Sequence, residues 1–451
     1  MWLLMSDWVT FPDGRRGRLG WAWDAERAAL WQRMLASAHG DPRRPICDCV
    51  VGGRRLELAV RELIRRDDGR QVRRYCLARM PHDGTLHQAG CPFHETDARR
   101  SGRSGYQQGV IRELPDGRLR IAIAGGLEVR QPAPEPVAAQ GAEPANGAAR
   151  PRQARMSLLG LLHLLWEEGG LNAWSPEDRR RRTWWPTVRG ALDDAAAGII
   201  AGREALSDVF ATVGYRDADG PHLFAEVAQQ CGQSRRIVLV GLVNQITRYQ
   251  PQVADGQPPR PPRLRVVFDG VRNYGLYVAA PIEAERRLAR SFPWAWKALG
   301  QDPRDRAIRV VAVVAARIQP TRSGTHFTAW ADGIALMETA PSLVPVASFH
   351  ELRVLQALQH EGRRFRKPLR YDAERQVVHP DFELLDTVDP RGTPMEVFGR
   401  DDEDYTARAA EKQQYYDAVY GIRGWWSWDA TRADHWPPFP PASQLTARST
   451  K

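Results

Sequence analysis

From Gln131 to Arg155 the chain runs QPAPEPVAAQGAEPANGAARPRQAR, in which Val137 is the only large apolar side chain. Such a stretch cannot offset its ordering entropy by burial, so it reads as a flexible linker. It divides a Cys- and His-rich N-terminal module from everything that follows. At 451 residues the chain is too long for one ordinary core in any case, and two or three domains are expected. The sequence divides into an N-terminal module over 1–130, the linker over 131–155, a helical then β-rich region over 156–340, and a C-terminal domain over 341–451.

Lys plus Arg total 64 against 54 for Asp plus Glu, a net charge of +10, which favours polyanionic partners, DNA first among them. Only four of those 64 are Lys: Lys297, Lys367, Lys412 and Lys451. A Lys at a special place is therefore informative. No apolar run reaches the roughly 18–20 residues that cross a bilayer, so no membrane partner is expected and the predicted location is cytoplasmic.

The middle region opens with Leu158, Leu161, Leu162, Leu165 and Trp166 at helical spacing, ended by Gly169-Gly170. An Arg run follows, Arg179-Arg180-Arg181-Arg182, before Trp184-Trp185 and an Ala-rich helical stretch ending near Ala201. Arg180, Arg181 and Arg182 are candidate phosphate-backbone contacts, or else a solvated basic turn. From Arg235 to Met337 short β-branched runs bounded by Gly, Pro and Asp predict a mixed sheet. That region shows neither a phosphate-loop glycine pattern nor a serine-hydrolase elbow.

The C-terminal segment carries the densest chemistry. Ser348 to Glu351 opens a helix whose Leu352, Leu355 and Leu358 form a buried stripe, and Glu351 fits a capping box on Ser348. Val377 to Leu385 alternates as a half-buried strand, with Asp381 and Glu383 on one face. After a turn at Asp389-Pro390-Arg391-Gly392, the strand Pro394 to Phe398 returns and sets Glu396 opposite Asp381, at a spacing of about 5 Å. Two carboxylates so placed call for a cation between them, and Mg²⁺ or Mn²⁺ suits such oxygen ligands. A helix from Tyr405 to Tyr420 follows, with Tyr405, Arg408, Lys412 and Tyr416 on one side; Lys412 is a water-orienting ammonium or a chance Lys on a solvated face.

These residues resemble the PD-(D/E)XK nuclease superfamily. The resemblance covers about a quarter of the chain and implies a restriction-endonuclease-like αβββαβ core that cleaves phosphodiesters with Mg²⁺. It gives Glu351 the first-helix acid, Asp381 the motif Asp, and Glu396 the acid of the Glu-x-Lys element. Phe398 stands where that element has Lys, and Lys412 on the next helix is the substitute. The whole chain also resembles an uncharacterised bacterial family of mobile and integrative elements, through Pro45-Ile46-Cys47-Asp48-Cys49, Arg79-Met80-Pro81, His87-x-x-x-Cys91 and Ser157 to Trp166. Other mobile-element proteins are partners that this second likeness implies.

Cys47, Cys49, His87 and Cys91 supply four soft ligands, enough for a closed tetrahedral Zn²⁺ site of structural type. Cys76, His82 and His94 are substitutes, and plain buried thiols are the alternative. The intervening residues read as a hairpin of Arg54 to Leu63 and Arg73 to Met80. The expected class is thus multidomain α/β (α+β), with a small zinc-stapled N-terminal β module. Two functions stand: a metal-dependent deoxyribonuclease, or a non-catalytic DNA-binding adaptor on a degenerate nuclease fold. Their difference lies in whether Lys412 enters the Asp381/Glu396 pocket. The sequence leaves the oligomeric state open.

Overall fold

A computed structural model describes residues 8–24, 26–51, 54–67, 70–88, 90–94, 109–123, 155–179, 185–213, 224–225, 228, 236–253, 258–271, 274–321, 327–369, 379–389, 391–400 and 402–443. The linker up to residue 154, Arg180, Arg181, Arg182 and Cys231 lie outside the described residues. The chain is mixed α/β, and its N-terminal region is a small β unit. Among the described residues no helix is long and apolar enough to cross a membrane.

The alternation that predicted a hairpin in the N-terminal region forms the long strands Arg54–Asp67 and Arg70–Arg79, joined to Ile46–Val51 in a five-stranded sheet. The helix Ala28–Ala38 adds Trp31, Met34 and Leu35 to the core of that sheet. Residues 110–123 pack elsewhere: strand Leu119–Ile121 pairs in parallel with Ile199–Ala201, and its apolar side joins the main core.

That core is built on the helices Leu158–Glu168 and Trp185–Ala197 and on two further sheets. One is more than the expected mixed sheet. Strand Ile237–Tyr249 pairs antiparallel with Arg309–Pro320 through its first half and with Arg263–Phe268 through its second. Arg263–Phe268 pairs with Gly275–Val278, which runs parallel to Phe327–Thr339, and that strand returns to Arg309–Pro320. The five strands therefore close into a barrel. The switch of partner requires a bend in the long strand, supplied by a bulge between Val243 and Gln245. Gly241 lets the Phe268 ring lie against the backbone there, since a Cβ would stand 2.5 Å from its Cδ1. Two helices absent from the sequence reading, Pro281–Ser291 and Pro293–Leu299, connect the third strand of the barrel to the fourth and bury Ala284, Leu288 and Ala295 against it.

The last sheet positions the acidic residues. Its order is Trp426–Asp429, Thr393–Phe398, Phe382–Leu384, Phe365–Arg366 and Ala173–Trp174. Along the chain, the helix Phe349–His360 precedes three of these strands, and the helix Glu403–Tyr420 precedes the last. Ala173–Trp174 comes from far upstream and ties the C-terminal segment to the middle region. The expected strand from Val377 is shorter, spanning Phe382–Leu384, with 370–378 outside the described residues.

Candidate functional site

The hairpin register pairs Phe382 with Met395 and Glu383 with Pro394. One residue further, the amide of Asp381 donates to Met395 O at 2.9 Å, and Asp381 Oδ2 accepts from the amide of Val397 at 2.8 Å. Asp381 thus lies beside Glu396, as the turn predicts. All six residues of Thr393–Phe398 are buried, Phe398 included, and the side chain of Glu396 is only 1 % exposed.

Each of the two carboxylates meets a lysine of the chain itself. Lys412, from the following helix, donates to both oxygens of Glu396 at 2.9 and 2.8 Å and to His379 O at 3.1 Å. Tyr416, one turn on, donates to Glu396 Oε1 at 2.8 Å. The i, i+4 spacing places both on one face of the helix. On the other side Lys367 pairs with Glu351 at 2.8 Å and lies 3.8 Å from Asp381 Oδ1. Two of the four lysines of the chain therefore enter one buried ring with Glu351, Asp381 and Glu396. Lys367 escaped sequence reading because Arg363-Arg364-Phe365-Arg366-Lys367 looks like a solvated basic run. The scarcity of Lys was the signal that could have found it.

Glu351 keeps part of its structural role. Ser348 Oγ accepts from the amide of Glu351 at 3.1 Å, but the Glu351 carboxylate accepts from Ala347, one residue before the capping-box position. Glu383 lies 3.7 Å from the buried Arg366, and Arg408 is exposed. Of the tail tryptophans, Trp426 and Trp428 are buried in the core and Trp425 stacks on Tyr416.

The second cluster lies in the N-terminal sheet. Cys47 and Cys49 are two apart on strand Ile46–Val51 and so share its buried face. His87 follows the short turn Gly84–Leu86, and Cys91 closes a turn in which its amide donates to Gln88 O at 2.8 Å. The Sγ atoms of Cys47 and Cys49 are 3.3 Å apart and those of Cys47 and Cys91 3.6 Å, while His87 Nδ1 lies 3.1 Å from Cys49 Sγ and 3.5 Å from Cys91 Sγ. A tetrahedron with Zn–S bonds of about 2.3 Å has sulfur–sulfur edges of about 3.8 Å, so these four buried side chains can hold one metal ion such as zinc. The substitutes stand apart: Cys76 pairs across the hairpin from Arg61, His82 faces Glu113, and His94 contacts His87 O.

With both clusters placed, the chain can be set beside known proteins. The profile of a family described as "Protein of unknown function (DUF1173)" matches residues 22–431. The chain belongs to this family. No curated protein and no solved structure matches it. The DUF1173 match spans the Cys/His cluster, the barrel and the acidic ring together.

Burial and close neighbours shift the acids of both clusters. Hydrogen bonds from Cys47 and Cys91 hold the Cys49 thiol far below its ordinary range, while the bond to Cys49, with burial, pushes Cys47 up to about 12 against the opposing bond to Cys91. Burial raises Glu396 to about 8, with Asp381 adding repulsion and Lys412 and Tyr416 opposing the rise. Burial raises Glu351 also, against the pull of Lys367.

A raised carboxyl has a definite consequence for stability. The folded chain keeps the Glu396 proton up to about 8, whereas an unfolded chain releases it near 4.5. Its contribution is therefore complete below the lower value and is lost as the pH rises through about 8. In metal-free protein we expect the unfolding midpoint to decline between pH 5 and 8, with a limiting slope near 1.4 kcal/mol per pH unit for this one group. Glu396→Gln should flatten that decline. A wild-type midpoint that stays level or rises across the window would show that Glu396 titrates normally.

Proposed function

We propose that this protein is a Mg²⁺-dependent DNA nuclease of mobile genetic elements, hydrolysing phosphodiesters at the Asp381/Glu396 centre. The observation that carries the reading is the reach of Lys412 to both oxygens of Glu396, because this lysine was the doubtful part of the motif. The succession of helix, three strands, helix and strand, with Asp381 immediately before one strand and Glu396 on its neighbour, supports it further.

The donors at the centre are hard oxygens, and the three carboxyls outnumber the two lysines, which suits Mg²⁺ or Mn²⁺ rather than a soft ion. When bound, such an ion polarises the phosphate and activates a water. The residues of the chain do the rest. Asp381, 13 % exposed, and Lys412, 17 % exposed, are the parts of the ring that meet solvent and so a substrate. The Lys412 ammonium neutralises phosphate charge and orients water. Tyr416 and Lys412 hold Glu396 in one rotamer, and Lys367 anchors Glu351 and steadies Asp381 from the other side. The ion held by Cys47, Cys49, His87 and Cys91 is, in this reading, structural Zn²⁺, because four protein ligands leave no open position.

The adaptor reading draws on the same lysines: a ring that neutralises most of its own charge can be purely structural. The two part in a direct assay. Linear, nicked and single-stranded DNA are incubated with protein in Mg²⁺ or Mn²⁺, beside an Asp381→Ala/Glu396→Ala variant. Metal-dependent cleavage that disappears in the variant supports the nuclease. DNA binding without cleavage on any substrate, unchanged by the substitutions, leaves the adaptor.

A further inference from the structure

The five-stranded barrel offers a site that the acidic ring does not use. Numbered by position within the barrel, its strands are Ile237–Tyr249, Arg263–Phe268, Gly275–Val278, Arg309–Pro320 and Phe327–Thr339, and they close in the order 1-2-3-5-4-1. Strands 3 and 5 are parallel, and helices fill the connection between strands 3 and 4. This is the connectivity of the oligonucleotide/oligosaccharide-binding barrel, whose ligands lie across strands 2 and 3. Topology alone does not assign a ligand.

The side chains on that face do. Leu264, Val266, Leu276 and Val278 fill the barrel, so the alternate residues Arg263, Arg265 and Tyr277 point outward. Across the pairing register, Arg265 stands opposite Tyr277, Tyr277 opposite Trp330, and Tyr249 opposite Arg263. The rings of Tyr249 and Tyr277 stack at 5.2 Å, and Trp330 lies 5.9 Å from Tyr277. The Arg263 guanidinium sits 4.2 Å over Trp330. All five side chains are partly exposed.

Gly275 makes room for this row, since a Cβ there would stand 2.7 Å from Cε2 of Tyr277. The charges agree. The five strands carry Arg248, Arg263, Arg265, Arg309 and Arg317 against only Asp332 and Glu338. Both acids are engaged: Asp332 pairs with Arg236 and Arg317 at 2.8 Å each, and Glu338 accepts from the amide of Ala295.

We infer that the barrel binds single-stranded DNA across its outward face, with bases stacking on Tyr249, Tyr277 and Trp330 and phosphates drawn to Arg263 and Arg265. Unpaired bases fit because they expose the ring faces that a duplex hides. The choice of DNA over RNA rests on the nuclease reading; the face itself does not.

The test is fluorescence anisotropy of a labelled dT20 oligonucleotide with full-length protein and no added divalent ion, so that cleavage plays no part. Tyr277→Ala and Trp330→Ala should each weaken binding about 5- to 150-fold, the range for loss of one stacked base. Trp330→Phe should restore most of the affinity. Arg263→Ala should flatten the log–log salt dependence by about 0.7, as for one phosphate contact on a single strand. Unchanged melting temperatures establish that the variants are folded. No binding of dT20, binding indifferent to these variants, or equal affinity for a duplex would overturn the inference, and tighter binding of U20 would overturn the assignment to DNA. Binding retained without cleavage in Mg²⁺ defeats only the nuclease reading; cleavage without this binding defeats only the barrel.

Discussion

Replacing Lys412 by Met should reduce metal-dependent cleavage at least about 100-fold and lower stability by about 1–3 kcal/mol at neutral pH. The two losses have separate causes. Glu396 is almost wholly buried, and Lys412 supplies two of its three hydrogen bonds. Without Lys412 the raised Glu396 carboxyl keeps its proton at neutral pH, so the stability cost is that of a buried acceptor deprived of two hydrogen bonds rather than of a bare charge. In the proposed nuclease the loss of rate would come from an ammonium that no longer meets the phosphate or its attacking water. Lys412→Arg separates them: a guanidinium restores charge and much of the stability, but its planar fork cannot reproduce the point contact, so cleavage stays low. Denaturation midpoints and initial cleavage rates on the same preparations give both quantities. A Lys412→Met protein that cleaves at the wild-type rate would remove this lysine from the chemistry.

The second large effect concerns the N-terminal sheet. Purified protein should contain one zinc per chain, and a strong chelator or Cys49→Ser should unfold the region from Trp8 to His94 while the barrel persists. The thiols are themselves part of the core there, packed with Val9, Phe11, Trp31, Leu35, Leu56 and Leu58. Three buried sulfurs cannot all ionise without a cation, so loss of the ion forces protonation and breaks the tetrahedral contact. Structural zinc contributes an apparent 10–16 kcal/mol in zinc-finger peptides, far more than a small sheet holds in reserve. Hydrogen exchange followed by mass spectrometry localises the change. Metal-free protein with full protection over residues 46–91 would sink the zinc assignment.

How much of this could be read from sequence depends on the range of the interaction. Cys47 and Cys49 sit two apart on a strand and His87 and Cys91 four apart around a turn, so local geometry brings each pair together. Asp381 and Glu396 are related by one hairpin, whose register the turn at 389–392 anchors. Lys412 stood out only because Lys is so scarce. Lys367 did not, because its neighbours are Arg. The barrel was invisible for a different reason: its closure depends on one long strand, Ile237–Tyr249, serving two partners about 25 and 70 residues away along the chain. The two-residue strand Ala173–Trp174, which pairs with Phe365–Arg366, is too short to carry a pattern. Periodicity reports burial, not which strand lies beside which.

The lysine distribution also turns the molecule into its own chemical reporter. Lys297 is exposed, whereas Lys367 and Lys412 are each clasped by a buried carboxylate. An amine-acylating reagent therefore meets only two lysines outside the ring, Lys297 and Lys451, and modification at either ring lysine marks the opening of its ion pair.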